Sequence, residues 1–343
     1  MTIFKISRPW LALLLTLVVW AQAICACERV SASDQEEAKV ASTRPRVALA
    51  LGGGGTRGAA HVGVLRVLEQ EGIPIDCIAG TSMGAVVGGL YAAGLPVGAI
   101  EEKFIKGSLL RAFLTVPLKV RIAAMPLFAI PHAFGHHPHD GLYKGNKFAT
   151  YLNTSVPESS KNIEDLKLPF AAVALNLLDG KVYALRKGNL GRCLQASSAV
   201  PLLRRPVALP GGLFVDGGVL ANLPVKEARA MGASVVIAVD VDERFDVVPE
   251  SAFHAIGAVG HRVLTLHLSK VDEAQIAAAD VVIHPNVNGI GLISTRQSDT
   301  RAAIAAGEDA ARLCIPLIKE KLKNAGVMVT RADAALIPKH GEL

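Results

Sequence analysis

The stretch Gly80-Thr81-Ser82-Met83-Gly84 fits the G-x-S-x-G pattern, in which a serine sits on a sharp turn between a buried strand and a packed helix. The flanking glycines avoid side-chain collisions in such a turn. The serine then projects at the sheet edge, beside helix N–H groups that favour a developing negative charge. That chemistry is nucleophilic acyl transfer, and it requires a base to take the hydroxyl proton. Two kinds of candidate are present: Asp216, which closes an apolar run in Asp216-Gly217-Gly218, and the histidines His61, His254, His261, His267 and His284. None of these histidines stands in a setting that singles it out. A strand-end aspartate before glycine also serves as turn chemistry, and small residues such as Gly88-Gly89 also permit close helix packing.

A second motif precedes the serine. In "LGGGGTRGAAHVGVL", residues 51–65, Gly53-x-Gly55-x-x-Gly58 follows an apolar run and opens a helical segment. This is the context of a dinucleotide-binding fingerprint. It is equally a ring of backbone N–H groups aimed at another negative charge. The acid required by the first reading is Asp76, but it precedes a strand instead of ending one, and that reading leaves Ser82 and Asp216 unexplained.

The elements that must position these residues alternate short apolar runs with helical periods: strand Val47–Leu51, helix Ala59–Gln70, strand Cys77–Ala79 and helix Met83–Ala93. "FAAVALNL" and "KVYALR" flank an Asp179-Gly180 turn, followed by "LFVDGG", a helix over Val225–Met231, "SVVIAVDV", "DVVIHP" and a helix from about Arg301 to Lys323. This is an α/β pattern. Between Phe113 and Gly141 neither period holds. That apolar, proline-containing stretch reads as a lid or surface contact, and its His132, His136, His137 and His139 lack metal-ligand spacing, so no metal is expected.

Of the 343 residues, 51% are hydrophobic and 19% charged, enough apolar content for a large core. The formal net charge of +6 suits an anionic lipid surface. Basic runs interleaved with aromatics are lacking, which argues against nucleic acid. Residues 1–27 read as a signal peptide: Lys5 and Arg8 flank "WLALLLTLVVWA", and small residues follow. Cleavage after Ala23 and lipidation of Cys27 both fit, with Cys27 preferred. An uncleaved anchor is the third reading, since Trp10 to Cys27 approaches the roughly 18 to 20 residues that span a bilayer. Residues 28–44 form a polar linker, 45–323 the folded domain and 324–343 a C-terminal tail. Cys77, Cys193 and Cys314 show no disulfide or zinc spacing.

Taken in order, the Gly-rich loop, GTSMG and DGG resemble the patatin-like phospholipases, particularly the bacterial members. "LPFAAVALNLLDG", "ASSAVPLLRRPV", "FVDGGVLANLPV" and "ARAMGASVVIAVDV" extend the resemblance over roughly residues 46–245. The resemblance implies a three-layer α/β/α domain with a mainly parallel central sheet. It also implies a cofactor-free Ser–Asp dyad that hydrolyses acyl esters of phospholipids or lysophospholipids at a membrane surface. Ser82 would be the nucleophile, Asp216 the base, and Gly53, Gly54 and Gly55 the oxyanion loop, supported by Arg57, Gly58, Gly80, Gly84, Gly217 and Gly218. Arg57 would orient the loop, meet an anionic headgroup or form a surface salt bridge. The chain departs from many relatives at Leu175-Asn176, where Thr-Asp is usual, and at Gly218, where Ala is common. Rival readings are a catalytically silent lipid-binding protein of the same fold, a Ser–His–Asp hydrolase and a dinucleotide-dependent oxidoreductase. The expected location is the bacterial envelope, as a periplasm-facing lipoprotein.

Overall fold

The computed structural model describes residues 46–116, 120, 141–243, 247–254 and 258–329. The signal peptide with Cys27, the linker 28–44, most of the 113–140 stretch with its four histidines, and the tail beyond 329 lie outside the described residues.

Strand period decides the layering. β1 (Val47–Leu51) and β2 (Cys77–Thr81) are buried on both faces. Their larger side chains, Val47, Leu49, Leu51 and Ile78, enter one core, while Ala48, Ala50, Cys77 and Ala79 enter a thinner one. Alternation of large and small residues along a two-residue repeat thus builds two unequal layers. α1 (Ala60–Gln70), α2 (Met83–Ala92) and the long α9 (Gln297–Asn324) cover the thick side. On the thin side lies α7 (Val225–Arg229), with α8 (Ala258–Ala278) packed against it. Between α1 and α9 the backbones nearly touch: a β-carbon on Gly307 would lie 2.0 Å from the Ala60 carbonyl oxygen.

The remaining elements are α3 (Val97–Ile105), α4 (Ser108–Phe113), α5 (Asn146–Thr154), β3 (Phe170–Asn176), β4 (Val182–Leu185), α6 (Leu190–Ser197), β5 (Val207–Leu209), β6 (Gly212–Asp216), β7 (Val235–Val239) and β8 (Val281–Ile283). Among the described residues the sheet runs β5-β6-β3-β2-β1-β7-β8, with β4 also paired to β3. The pairs from β3 through β2, β1 and β7 to β8 are parallel, whereas β4, β6 and β5 join antiparallel at one side. The sheet is mixed and mainly parallel, as expected.

This topology gathers the motifs. β1 and β2 are parallel neighbours, so the glycine loop after Leu51 and the turn after Thr81 leave the same sheet edge, where α/β folds place ligands. The registers Thr81↔Val173 and Ala174↔Asp216 bring the end of β6 alongside that edge.

The long helix begins at Gln297, earlier than expected, and the first helix is preceded by a 3-10 turn over Gly55–Ala59. No helix among the described residues is long and apolar enough to cross a membrane.

Candidate active site

Ser82 caps α2 with φ 53° and ψ −120°, a left-handed conformation that costs a non-glycine residue on the order of 1–3 kcal/mol and persists only where its surroundings fix it. Here they do. The Ser82 N–H donates to Ser197 Oγ at 3.0 Å, and the Ser197 hydroxyl donates to the Val173 carbonyl at 2.6 Å. Next door, the Thr81 hydroxyl donates to Ala221 O at 2.8 Å. A β-carbon on Gly84 would lie 2.3 Å from Leu51 O, so only glycine lets α2 start this close to β1. Gly58, Gly80 and Gly217 are similarly crowded, against Met83, Ala85 and the Val173 carbonyl.

From this turn the Ser82 hydroxyl donates to Asp216 Oδ2 at 2.7 Å. The second carboxylate oxygen, Oδ1, accepts the Gly218 N–H at 2.8 Å, which fixes the side chain. Asp216 is 5% exposed. Burial pushes its carboxyl up to about 6, against the opposing hydrogen bonds from Ser82 and Gly218, because an ionised carboxylate loses hydration there.

The glycine loop runs past the same serine. The Gly52 N–H donates to Val239 O at 3.0 Å and the Gly53 N–H to Asn222 O at 3.2 Å. Gly53 therefore lines the cavity with its donor already spent. The N–H groups of Gly54 and Gly55 have no hydrogen-bond partner among the described residues, and both residues line the cavity with Ser82. Gly55 has φ +56° and opens the 3-10 turn that feeds α1.

Arg57 is 3% exposed. Its Nε donates to Ile290 O at 2.6 Å and its Nη2 pairs with Glu243 at 3.0 Å. It braces the loop from behind, so the headgroup and surface-pair readings are corrected by its burial. His61, also buried, donates from Nε2 to Gly52 O at 2.8 Å. Burial lowers it to about 4, which keeps the imidazole neutral.

The other histidines make no hydrogen bond to Ser82 among the described residues. His267 lines the cavity, but its Nε2 is bonded to Val219 O at 2.8 Å. His284 Nδ1 bonds Asp240 at 2.9 Å. The side chain of His261 lies outside the described residues. Replacing His267 with Gln is expected to leave kcat for a soluble short-chain ester within about threefold of wild type in an initial-rate assay, whereas a Ser–His–Asp relay through this residue would lose about 10³-fold or more.

The cavity above Ser82 holds about 550 Å³, within the ordinary range for small-molecule sites. Phe104, Leu109, Leu110 and Phe113 of α3 and α4 supply an apolar lining with Leu203; Thr56, Gln297 and Thr300 also line the cavity. A cluster of acids lies behind the loop: Asp240, Asp242 and Asp272, all buried, with one oxygen from each within 4.8 Å of the others. Burial, then repulsion from Asp240 and Asp272, pushes Asp242 up to about 8, so it holds a proton at neutral pH. Sequence reading missed this cluster, together with Ser197 and Asn222.

Two departures from the family pattern have local explanations. Asn176 Oδ1 accepts the N–H groups of Leu178 and Leu213 at 3.2 and 3.1 Å, tying the β3–β4 turn to β6. A β-carbon on Gly218 would sit 3.0 Å from Asn222 Oδ1 and 3.1 Å from Asp216 Oδ1, so glycine here leaves the carboxylate uncrowded. The dinucleotide reading fails on position: Asp76 accepts the Val47 N–H at 2.7 Å, at the opposite end of β1 from the glycine loop.

The sequence is similar to those of known proteins. The family model described as patatin-like phospholipase matches residues 49–229. Lysophospholipase nte1 of Neurospora crassa is 32% identical over 223 residues, 62% of this chain and 13% of that protein. Human patatin-like phospholipase domain-containing protein 6 is 34% identical over 197 residues, 57% of this chain and 13% of its own length. An uncharacterized NTE family protein of Mycobacterium tuberculosis is 36% identical over 203 residues, 59% of this chain and 50% of its own. The match thus spans half or less of each of these relatives. The family model covers more than half of this chain and includes the glycine loop, Ser82 and Asp216, and the chain belongs to the patatin-like phospholipase family.

Proposed function

We propose that this protein is a serine acyl hydrolase that cleaves carboxylic ester bonds of phospholipids or lysophospholipids through a Ser82–Asp216 dyad. The observation that carries the reading is the 2.7 Å hydrogen bond from the strained Ser82 hydroxyl to a buried carboxylate, beside two unspent loop N–H groups. Asp216 takes the Ser82 proton as Oγ attacks the ester carbonyl, and the Gly54 and Gly55 N–H groups receive the oxyanion. Collapse of the tetrahedral intermediate breaks the ester C–O bond, and Asp216 returns the proton to the departing alcohol. Water then attacks the acyl-serine, again giving its proton to Asp216; collapse breaks the bond to Ser82 Oγ, Asp216 returns the proton to that oxygen, and the fatty acid leaves. The positive end of α2 favours both oxyanions.

A base held near pH 6 serves both half-reactions, because it is ionised at neutral pH yet takes and returns a proton readily. The sign follows: only the ionised form accepts the proton, so kcat/KM for a neutral ester rises with pH, reaches half its plateau near pH 6 and is level above pH 7. An initial-rate pH profile checks this. A limb near pH 4 would show that burial does not set the base.

The acyl chain lies along the wall from Phe104 to Phe113. Leu202 and Ile293, both at the cavity lining, are 78% and 40% exposed, which supports docking on a lipid surface. The leader supports export and attachment through Cys27 at a bacterial envelope. Hydrolysis of a panel of phospholipids, lysophospholipids and neutral acylglycerols by wild type, Ser82→Ala and Asp216→Asn tests the reading. Release of fatty acid by folded wild type and by neither variant is expected. A folded wild type that binds these lipids and hydrolyses none is the silent lipid-binding protein instead.

A further inference from the structure

From the bonding behind the loop we infer that Asn222 is the positioning residue of the oxyanion loop, held in place by the carboxyl groups of Asp242 and Asp272. The inference rests on the serine-hydrolase reading above.

Asn222 is 3% exposed, and its main-chain carbonyl and side-chain Nδ2 are bonded to the loop and to what anchors it. Its main-chain carbonyl accepts the Gly53 N–H at 3.2 Å. Its side-chain Nδ2 donates to Asp242 Oδ2 at 3.1 Å and to Asp272 Oδ2 at 3.0 Å. Its Oδ1 fills the space beside two site glycines, 2.4 Å from where a β-carbon of Gly53 would stand and 3.0 Å from one on Gly218. One side chain therefore abuts the glycine that starts the oxyanion loop and the glycine whose N–H orients Asp216.

The anchor comes from distant elements. Asp242 follows β7, and Asp272, 1% exposed, reaches across from α8 to accept the Leu223 N–H at 2.8 Å as well as the Asn222 amide. Both lie beyond residue 229, where the family match ends. A primary amide suits this place because it presents both of its hydrogens to acceptors, so each amide hydrogen has an oxygen partner. With the Asn222 peptide fixed, the Gly53 N–H is turned away from the cavity, and the next two, Gly54 and Gly55, are left for the oxyanion. An oxyanion hole works through such preorganisation, since donors already in place need no rearrangement as charge develops.

The role has a kinetic signature distinct from simple destabilisation. Loss of the brace frees the loop while leaving the cavity walls intact, so transition-state stabilisation falls and ground-state binding does not. With wild type active and Ser82→Ala inactive on a soluble p-nitrophenyl ester, the hydrolase reading stands independently. Asn222→Ala, shown to be folded by its thermal transition, is then expected to lose about 100-fold in kcat with KM changed less than threefold. Asn222→Asp is expected to lose more, because a fourth acidic group enters the cluster and both amide hydrogens are lost. The reciprocal pair Asn222→Asp with Asp242→Asn returns the number of acidic groups to three and restores, in reverse, the hydrogen bond between positions 222 and 242, and should recover at least tenfold over Asn222→Asp alone. A folded Asn222→Ala with kcat within threefold of wild type would overturn the inference, as would a double variant no better than Asn222→Asp.

Discussion

Asp216→Asn is expected to lower kcat/KM by about 10⁴-fold and, in the same molecule, to raise the melting temperature by a few degrees. The kinetic loss follows from its position as the base bonded to Ser82: an amide cannot accept the proton, and loss of a catalytic base or its orienting partner costs serine hydrolases on this scale. The gain in stability follows from burial. The carboxyl stands at about 6 in the fold against 3.8 when unperturbed, so folding holds an ionised group where the ion is disfavoured, at a cost of about 3 kcal/mol. The sign is definite. A raised folded value means that stability is fully present below about pH 4 and is lost as pH climbs to about 6. Asparagine never ionises and keeps both contacts in kind, accepting from the Gly218 N–H and donating to Ser82. The two melting temperatures, followed by circular dichroism, should therefore differ most above pH 6 and converge near pH 4. An Asp216→Asn protein less stable than wild type at pH 8 would contradict the burial account.

Gly55→Ala is the second large effect. Gly55 has φ +56°, and a β-carbon there would lie 2.1 Å from the Leu292 carbonyl oxygen. That oxygen is already engaged, accepting the Thr56 N–H at 2.9 Å. An alanine must therefore push the 3-10 turn away from the Leu292 segment, in addition to a left-handed penalty of roughly 1–2 kcal/mol. The displaced atoms are the Gly54 and Gly55 N–H groups. Misplacing one oxyanion donor costs about 10²–10³ in kcat, and steady-state kinetics on a soluble ester should show that loss with KM little changed. A variant that kept wild-type kcat would place the oxyanion elsewhere, with the unpaired N–H groups at the start of α2 the remaining donors.

Much of this site was legible because its signals are local. Val47–Leu51 reads as a strand from its apolar run, and the serine and aspartate stand out because tight turns force glycines around them. The helices that wall the cavity carry no comparable signal. α8 leaves Val259 and Val263 exposed on a helix of mixed character, so no clean apolar face marks it, and β5 has three residues. Ser197 illustrates a different limit. It holds the Ser82 backbone from 115 residues away, and nothing in "ASSAV" separates that serine from its neighbour. His61 was a candidate base by type, yet it is a buried neutral donor to Gly52 O, because the helix carrying it packs beneath the loop. Arg57 was ambiguous for the same reason: its partners, Ile290 and Glu243, come from far along the chain.

The central claim is that Ser82 is an activated nucleophile, and covalent labelling tests it most directly. Folded wild-type protein treated with a fluorophosphonate should gain a single adduct by intact mass. Peptide mapping should place that adduct on Ser82, and Ser82→Ala should remain unmodified under the same conditions. An unlabelled folded wild type, or an adduct on any other residue, would contradict the account.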